Sequence, residues 1–137
     1  GFGYIIPPAI RALGEEAVAE YESQMAQIQG WYEGWQQKLG NAGEKSNEDA
    51  RFVLPGACET RVLFTMNARE LRHFFALRMC NRAQWEIRGV ARTMLRLCRE
   101  VLPEVFDHAG ARCERLKFCP EGEKFTCGRY PLPEKRD

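Results

Sequence analysis

Apolar residues recur at helical intervals from Glu15 to Leu39, where Val18, Tyr21, Met25, Ile28, Tyr32, Trp35 and Leu39 alternate spacings of three and four. That rhythm returns every apolar side chain to one face and predicts a single long amphipathic helix, ended by Gly40 and Asn41. An aromatic stripe of this kind reads as core or subunit interface, and no chemistry is assigned to it. Before it, Pro7 and Pro8 fix an extended entry into helix. After a polar, glycine-rich loop, Ser46 with Asp49 reads as the cap of a short helical turn carrying Arg51, which Leu54-Pro55-Gly56 breaks. From Glu59 to Met66 the pattern changes to partial alternation, with Thr60, Val62, Phe64 and Met66 on one side, and predicts a strand. A lone strand leaves its ladder open, so its partners are expected from outside this sequence.

Two helix starts follow. Asn67 with Glu70 three residues on forms a capping-box pattern and predicts a helix from Ala68 to about Cys80. At about 100° per residue, Leu71, Phe74 and Phe75 share a face, and Arg78 falls in the middle of it. A guanidinium placed there needs an anion, either Glu59 or Glu86 as an internal ion pair or a bound ligand. Asn81 with Gln84 marks the second start, opening a helix that Pro103 closes. Its seam is expected to be Ile87, Val90, Met94, Leu97 and Val101, with Arg88, Arg92, Arg96 and Arg99 as a solvated stripe opposite. Arg69, Arg78 and Arg82 lie near the junction of strand and helices, where arginine forks and free backbone N–H groups suit a phosphate. The expected class is α+β, mostly helical, with a long amphipathic helix, one main strand and two consecutive helices.

Composition sharpens this in two ways. The chain of 137 residues is 45% hydrophobic, enough for a core, and lacks both an apolar run of membrane-spanning length and a signal segment. A soluble, cytoplasmic protein with no membrane partner is therefore expected. Net charge is only +1, which argues against a nucleic-acid partner despite the outer arginine stripe. Yet residues 57–102 hold nine arginines and no lysine against four glutamates, whereas residues 1–56 hold four basic and eight acidic side chains. An all-arginine excess favours bidentate recognition of a phosphate or carboxylate.

Six cysteines stand at 58, 80, 98, 113, 119 and 127. Cys58, Cys80 and Cys98 lie in apolar, regular segments and read as buried free thiols, which fits a reducing compartment. Cys113, Cys119 and Cys127 are separated by five and seven residues without a CxxC knuckle, so zinc is weakly supported, although His108 could complete three cysteines and one histidine. The preferred reading is an irregular lid with unpaired thiols or an adventitious disulfide, with no metal site assigned. Residues from Pro131 to Asp137 are expected to be disordered.

Three motifs in order, ARFVLP at Ala50–Pro55, TMNAREL at Thr65–Leu71 and FFALRMCNRAQWEI at Phe74–Ile87, resemble the C-terminal half of flavin-dependent thymidylate synthase. The resemblance spans roughly residues 4–110, so residues 1–110 are expected to form the C-terminal part of such a domain and 111–137 a cysteine-containing tail. It implies FAD reduced by NADPH, methylenetetrahydrofolate as carbon donor, conversion of dUMP to dTMP, and a homotetramer with shared active sites. By the same resemblance Arg51 and Arg78 hold dUMP, while Asn67, Arg69, His73, Leu77 and Arg82 contact FAD; none is a catalytic nucleophile. Read from the residues alone, Asn67 is a helix cap and His73 a solvent-facing histidine. The Pro-Cys-His context of the classical, unrelated thymidylate synthase is absent, so a cysteine mechanism is rejected. In the family an Arg-His-Arg signature precedes the YIIPP-like segment. It is missing from this sequence, which opens at Gly1 and therefore reads as a piece of something longer. The alternative is an inactive fragment, or a nucleotide- or flavin-binding module without activity alone.

Overall fold

The structure is a computed structural model that describes residues 1–134. It falls into two compact units, Gly1–Leu63 and Phe64–Asp137.

The first unit is built on the long helix foreseen from the 3-4 spacing. Helix α1 (Pro8–Arg11) begins with proline at its first position, where the missing N–H costs nothing. Helix α2 (Glu15–Lys38) then runs unbroken and stops where Gly40 and Asn41 take left-handed backbone angles, φ 81° and 49°. Helix α3 (Glu44–Ala50) and a single 3-10 turn (Arg51–Val53) fold back against it. Ser46 is not the cap that the sequence suggested. It sits inside α3, buried, where its hydroxyl accepts from the Ala42 N–H at 2.8 Å and donates to the Leu39 carbonyl at 3.0 Å, tying the α2–α3 loop shut. Tyr4 pairs antiparallel with Cys58, with the Glu59 N–H donating to Gly3 at 2.8 Å and the Ile5 N–H to Ala57 at 3.1 Å.

That bridge is all the β-structure among the described residues, so the predicted main strand is absent. Residues 60–66 form no regular element and no backbone hydrogen bonds among the described residues, and Val62, Leu63 and Phe64 are exposed. Alternation creates one apolar face, but a strand exists only when its N–H and C=O groups find a second backbone.

The second unit carries a well-formed core. Helix α4 (Ala68–Arg78) starts at Asn67, whose side-chain oxygen accepts from the Glu70 N–H at 3.0 Å. Helix α5 (Trp85–Val101) packs against it, and Pro103 both closes α5 and opens the short α6 (Pro103–Phe106). Phe75, Ala91, Leu95, Phe106 and Ala109 are buried together, and the rings of Phe75 and Phe106 meet edge to face at 6.1 Å. Helix α7 (Arg112–Leu116) follows and ends at Lys117 in a left-handed conformation, φ 60°.

Three expectations about this unit need correction. Gln84, not Asn81, caps α5, accepting from the Glu86 and Ile87 N–H groups at 2.9 and 3.1 Å. Asn81 lies in the intervening turn, its carbonyl accepting from Arg88 at 2.7 Å. Second, the buried stripe of α5 runs through Ala91, Leu95 and Cys98, flanked by Ile87 and Met94, while Val90, Leu97 and Val101 are exposed. Alanine contributes little to an apolar pattern, yet Ala91 is fully buried in the cluster that contains Phe75 of α4. Third, the arginine stripe is not simply solvated: Arg99 donates to the carbonyls of Phe106, Asp107 and Ala109 at 3.2, 3.2 and 2.9 Å, and Arg96 pairs with Glu100 at 2.6 Å. Arg99 thus satisfies the open carbonyls after α6.

The tail is irregular but not loose where described. The Cys119 N–H donates to the Pro131 carbonyl at 2.6 Å, so Pro131 is tied down, and residues 135–137 lie outside the described residues. None of the described helices is long and apolar enough to cross a membrane.

Candidate functional site

Helix α4 sets the geometry. Arg69, His73 and Leu77 stand at i, i+4 and i+8, so the winding aligns them on one stripe, and all three are exposed. At the C-terminal end this stripe runs into a groove of about 220 Å³ lined by Leu77, Arg78, Cys80, Arg82 and Glu121. The helix therefore presents, from its cap to its last turn, Asn67, Arg69, His73, Leu77 and Arg78 in sequence, with Arg82 just beyond.

Arg78 differs from expectation. It is exposed, forms no ion pair with Glu86 among the described residues, and lines the groove rather than the apolar face. Glu59, the other expected partner, belongs to the first unit. Arg78 is the last residue of α4, one turn beyond Phe75, and is not part of the buried cluster that Phe75 forms with α5 and Phe106. Its charge there also suits the carbonyl end of the helix.

Arg82 is the most constrained of these groups. Its Nη1 lies 2.8 Å from the Glu121 carboxylate, and its Cζ lies 4.4 Å from the centre of the Phe125 ring. The carboxylate holds one edge of the guanidinium and the ring supports a face, and the other N–H donors make no hydrogen bond among the described residues. Neither Glu121 nor Phe125 carried a sequence signal, because both lie in a coil without periodicity. Arg51 is exposed in the 3-10 turn of the first unit, and the second unit alone does not bring it to the α4 groove.

Asn67 keeps its structural task regardless of any ligand. Asn67→Ala should cost about 1 kcal/mol, since it strips the cap from α4. Urea unfolding followed by helical circular dichroism would check this, and an unchanged midpoint would show that the cap bond contributes nothing.

An arginine-rich rim with an apolar residue at its centre suits an anionic, ring-bearing ligand such as a nucleotide. The family described as "Thymidylate synthase complementing protein" matches residues 2–104. This chain belongs to that family. The flavin-dependent thymidylate synthase of Nitratidesulfovibrio vulgaris is 57% identical over 134 residues, covering 96% of this chain and 54% of that relative. The same-named proteins of Geobacter sulfurreducens and Clostridium tetani are 46% and 41% identical, covering 94% and 93% of this chain and 52% and 55% of the relatives. The chain thus spans about half the length of the curated relatives it matches.

The cysteines divide differently from the sequence reading. Cys80, Cys113, Cys119 and Cys127 line one small cavity, while His108 lines a separate surface pocket with Arg99 and Lys117. The weakly supported alternative set of Cys113, Cys119, Cys127 and His108 is therefore not brought together. Burial pushes the Cys113 thiol above its ordinary value, opposed by Arg129 and reinforced by nearby Cys80 and Glu114.

Proposed function

We propose that this chain forms the C-terminal part of a flavin-dependent thymidylate synthase, in which dUMP becomes dTMP with methylenetetrahydrofolate as carbon donor and NADPH-reduced FAD as hydride source. The observation that carries the reading is the 57% identity to the Nitratidesulfovibrio vulgaris enzyme across nearly the whole of this chain. The α4 rim supports it, since exposed arginines and a histidine fit a dinucleotide's phosphates and Leu77 offers apolar contact.

Arg69, His73 and Arg82 would hold FAD, with Leu77 against it and the Asn67 amide N–H₂ still free to donate while its oxygen caps the helix. Arg51 and Arg78 would hold the dUMP phosphate, Arg78 from the groove itself. The flavin supplies hydride chemistry when bound. The chain's contribution is binding and orientation: cations on and beside α4, with Arg51, fix the nucleotide and spare the reaction its positioning entropy. Glu121 and Phe125 act on this through Arg82, whose rotamers they restrict. No side chain here is assigned as nucleophile or general base.

The test combines this chain with the complementary half of the Nitratidesulfovibrio vulgaris relative. A yellow flavoprotein that forms dTMP from dUMP, and sizes as a tetramer by light scattering, is the expected result. Flavin or dUMP binding without turnover would favour the module reading instead, and absence of both would remove the assignment. Exposed Trp31 and Trp35 on α2 and Val90 and Leu97 on α5 are the apolar surfaces that assembly would cover.

A further inference from the structure

Four cysteines from separate stretches of sequence meet at one cavity of about 20 Å³ in the second unit. Cys80 follows the end of α4, Cys113 lies in α7, and Cys119 and Cys127 come from the coil after it. Cys113 and Cys119 are buried, and Cys127 is the exposed member of the set. Cys58 and Cys98 line no part of this cavity. The space suits a single water-sized sphere, too small for an organic ligand and sufficient for one ion.

The surrounding chain needs a fastening there. From Lys117 to Glu134 no regular element forms, and the coil is held by a few backbone bonds such as Cys119 to Pro131 and Thr126 to Gly122. Irregular segments of this size are held in other proteins by disulfides or by structural metal. Two cysteines would serve a disulfide. Four sulfur donors around one ion-sized space match the tetrahedral thiolate set that selects zinc.

We propose that Cys80, Cys113, Cys119 and Cys127 bind one zinc ion, which pins the C-terminal coil to the end of α4. Four S–H bonds break, four protons pass to solvent and four Zn–S bonds form, with no change of oxidation state. The resulting centre carries two negative charges; Arg112 and Arg129 line the cavity, Arg129 paired with Glu114 at 2.7 Å, Glu121 lines it paired with Arg82, and the Asn81 amide lies 3.7 Å from the Cys127 sulfur. Among the described residues no three such ligands already stand in metal-holding geometry. Binding therefore requires all four thiols to close on the ion, with Cys127 coming in from the exposed edge. The span it tightens, Cys119 to Cys127, contains Glu121 and Phe125, the two residues that hold Arg82.

The test reads metal directly and needs neither flavin nor nucleotide, so its failure is separate from failure of the proposed function. The full chain, expressed with zinc and purified without chelator, should contain about one equivalent. Cobalt(II) added to protein stripped of metal should give the intense visible bands and sulfur-to-metal charge transfer of a tetrahedral thiolate site. Cys119→Ser should lose most of the metal, whereas Cys58→Ser and Cys98→Ser should keep it. Should a cavity variant fail to fold, zinc titration of the unaltered chain against a chromogenic chelator still decides the matter. A chain that takes up no zinc or cobalt, that keeps a full equivalent in all four single serine variants, or that is isolated with a disulfide among these cysteines overturns the proposal.

Discussion

Phe75→Ala lowers the unfolding free energy by about 3–5 kcal/mol, the range for removing a fully buried phenyl ring and leaving its cavity. Phe75 is 0% exposed and belongs to the cluster that joins α4, α5 and α6. Its ring touches Phe74 at 5.9 Å and Phe106 at 6.1 Å, both edge to face, so the deletion removes aromatic contacts as well as buried area. Since domains are stable by only about 5–15 kcal/mol, the loss is a large part of what holds this unit together. Urea unfolding followed at Trp85, which lies in α5, reads the second unit. Phe74→Ala provides the comparison: Phe74 is half-buried and should cost clearly less. Equal losses at 74 and 75 would mean that the core is not centred on Phe75.

The existence of the helices, the end of α2 and the start of α4 were legible because their causes are local, whereas the caps of α3 and α5 were misplaced. The 3-4 spacing of α2, the left-handed stop at Gly40 and Asn41, and the Asn67 cap each depend on residues a turn apart or less. What escaped the sequence depends on partners distant in the chain. The segment 59–66 has the alternation of a strand, but strand formation is decided by a second backbone. The face of α5 was misplaced because Ala91, which is fully buried, is small, while the bulkier Val90 and Leu97 suggested a different stripe. The same limit hid the partners of Arg82 and the company of Cys80: Glu121 and Phe125 lie 39 and 43 positions further along a patternless coil, and only tertiary structure shows that Cys80 shares a cavity with the tail. For the candidate site, helix winding alone aligns Arg69, His73 and Leu77, and the motif TMNAREL–FFALRMCNRAQWEI identified them by resemblance. Winding did not reveal that Arg78 is exposed, since angle fixes direction while burial depends on what packs against the helix end.

That position makes Arg78→Met a clean probe of nucleotide binding. A buried guanidinium would have made the substitution a stability experiment, with apolar replacement expected to hold or raise the melting temperature. Arg78 is instead exposed at the last turn of α4, so Arg78→Met should shift ligand-free stability by no more than about 0.5 kcal/mol. Binding should respond far more. If Arg78 holds the dUMP phosphate from the groove with Leu77 and Arg82, removing its fork leaves a desolvated anion without its partner, at a cost of about 2–4 kcal/mol, or roughly 30- to 1,000-fold in affinity. Calorimetry with dUMP, on this chain combined with the complementary half of the Nitratidesulfovibrio vulgaris relative, gives the number. Arg92→Met, on the outer stripe of α5 and away from that groove, should leave the affinity unchanged. A loss below about fivefold at Arg78 is the size of an exposed ion pair, and would show that the phosphate is held elsewhere. Comparable losses at both arginines would point to general attraction by the basic second unit rather than to a site.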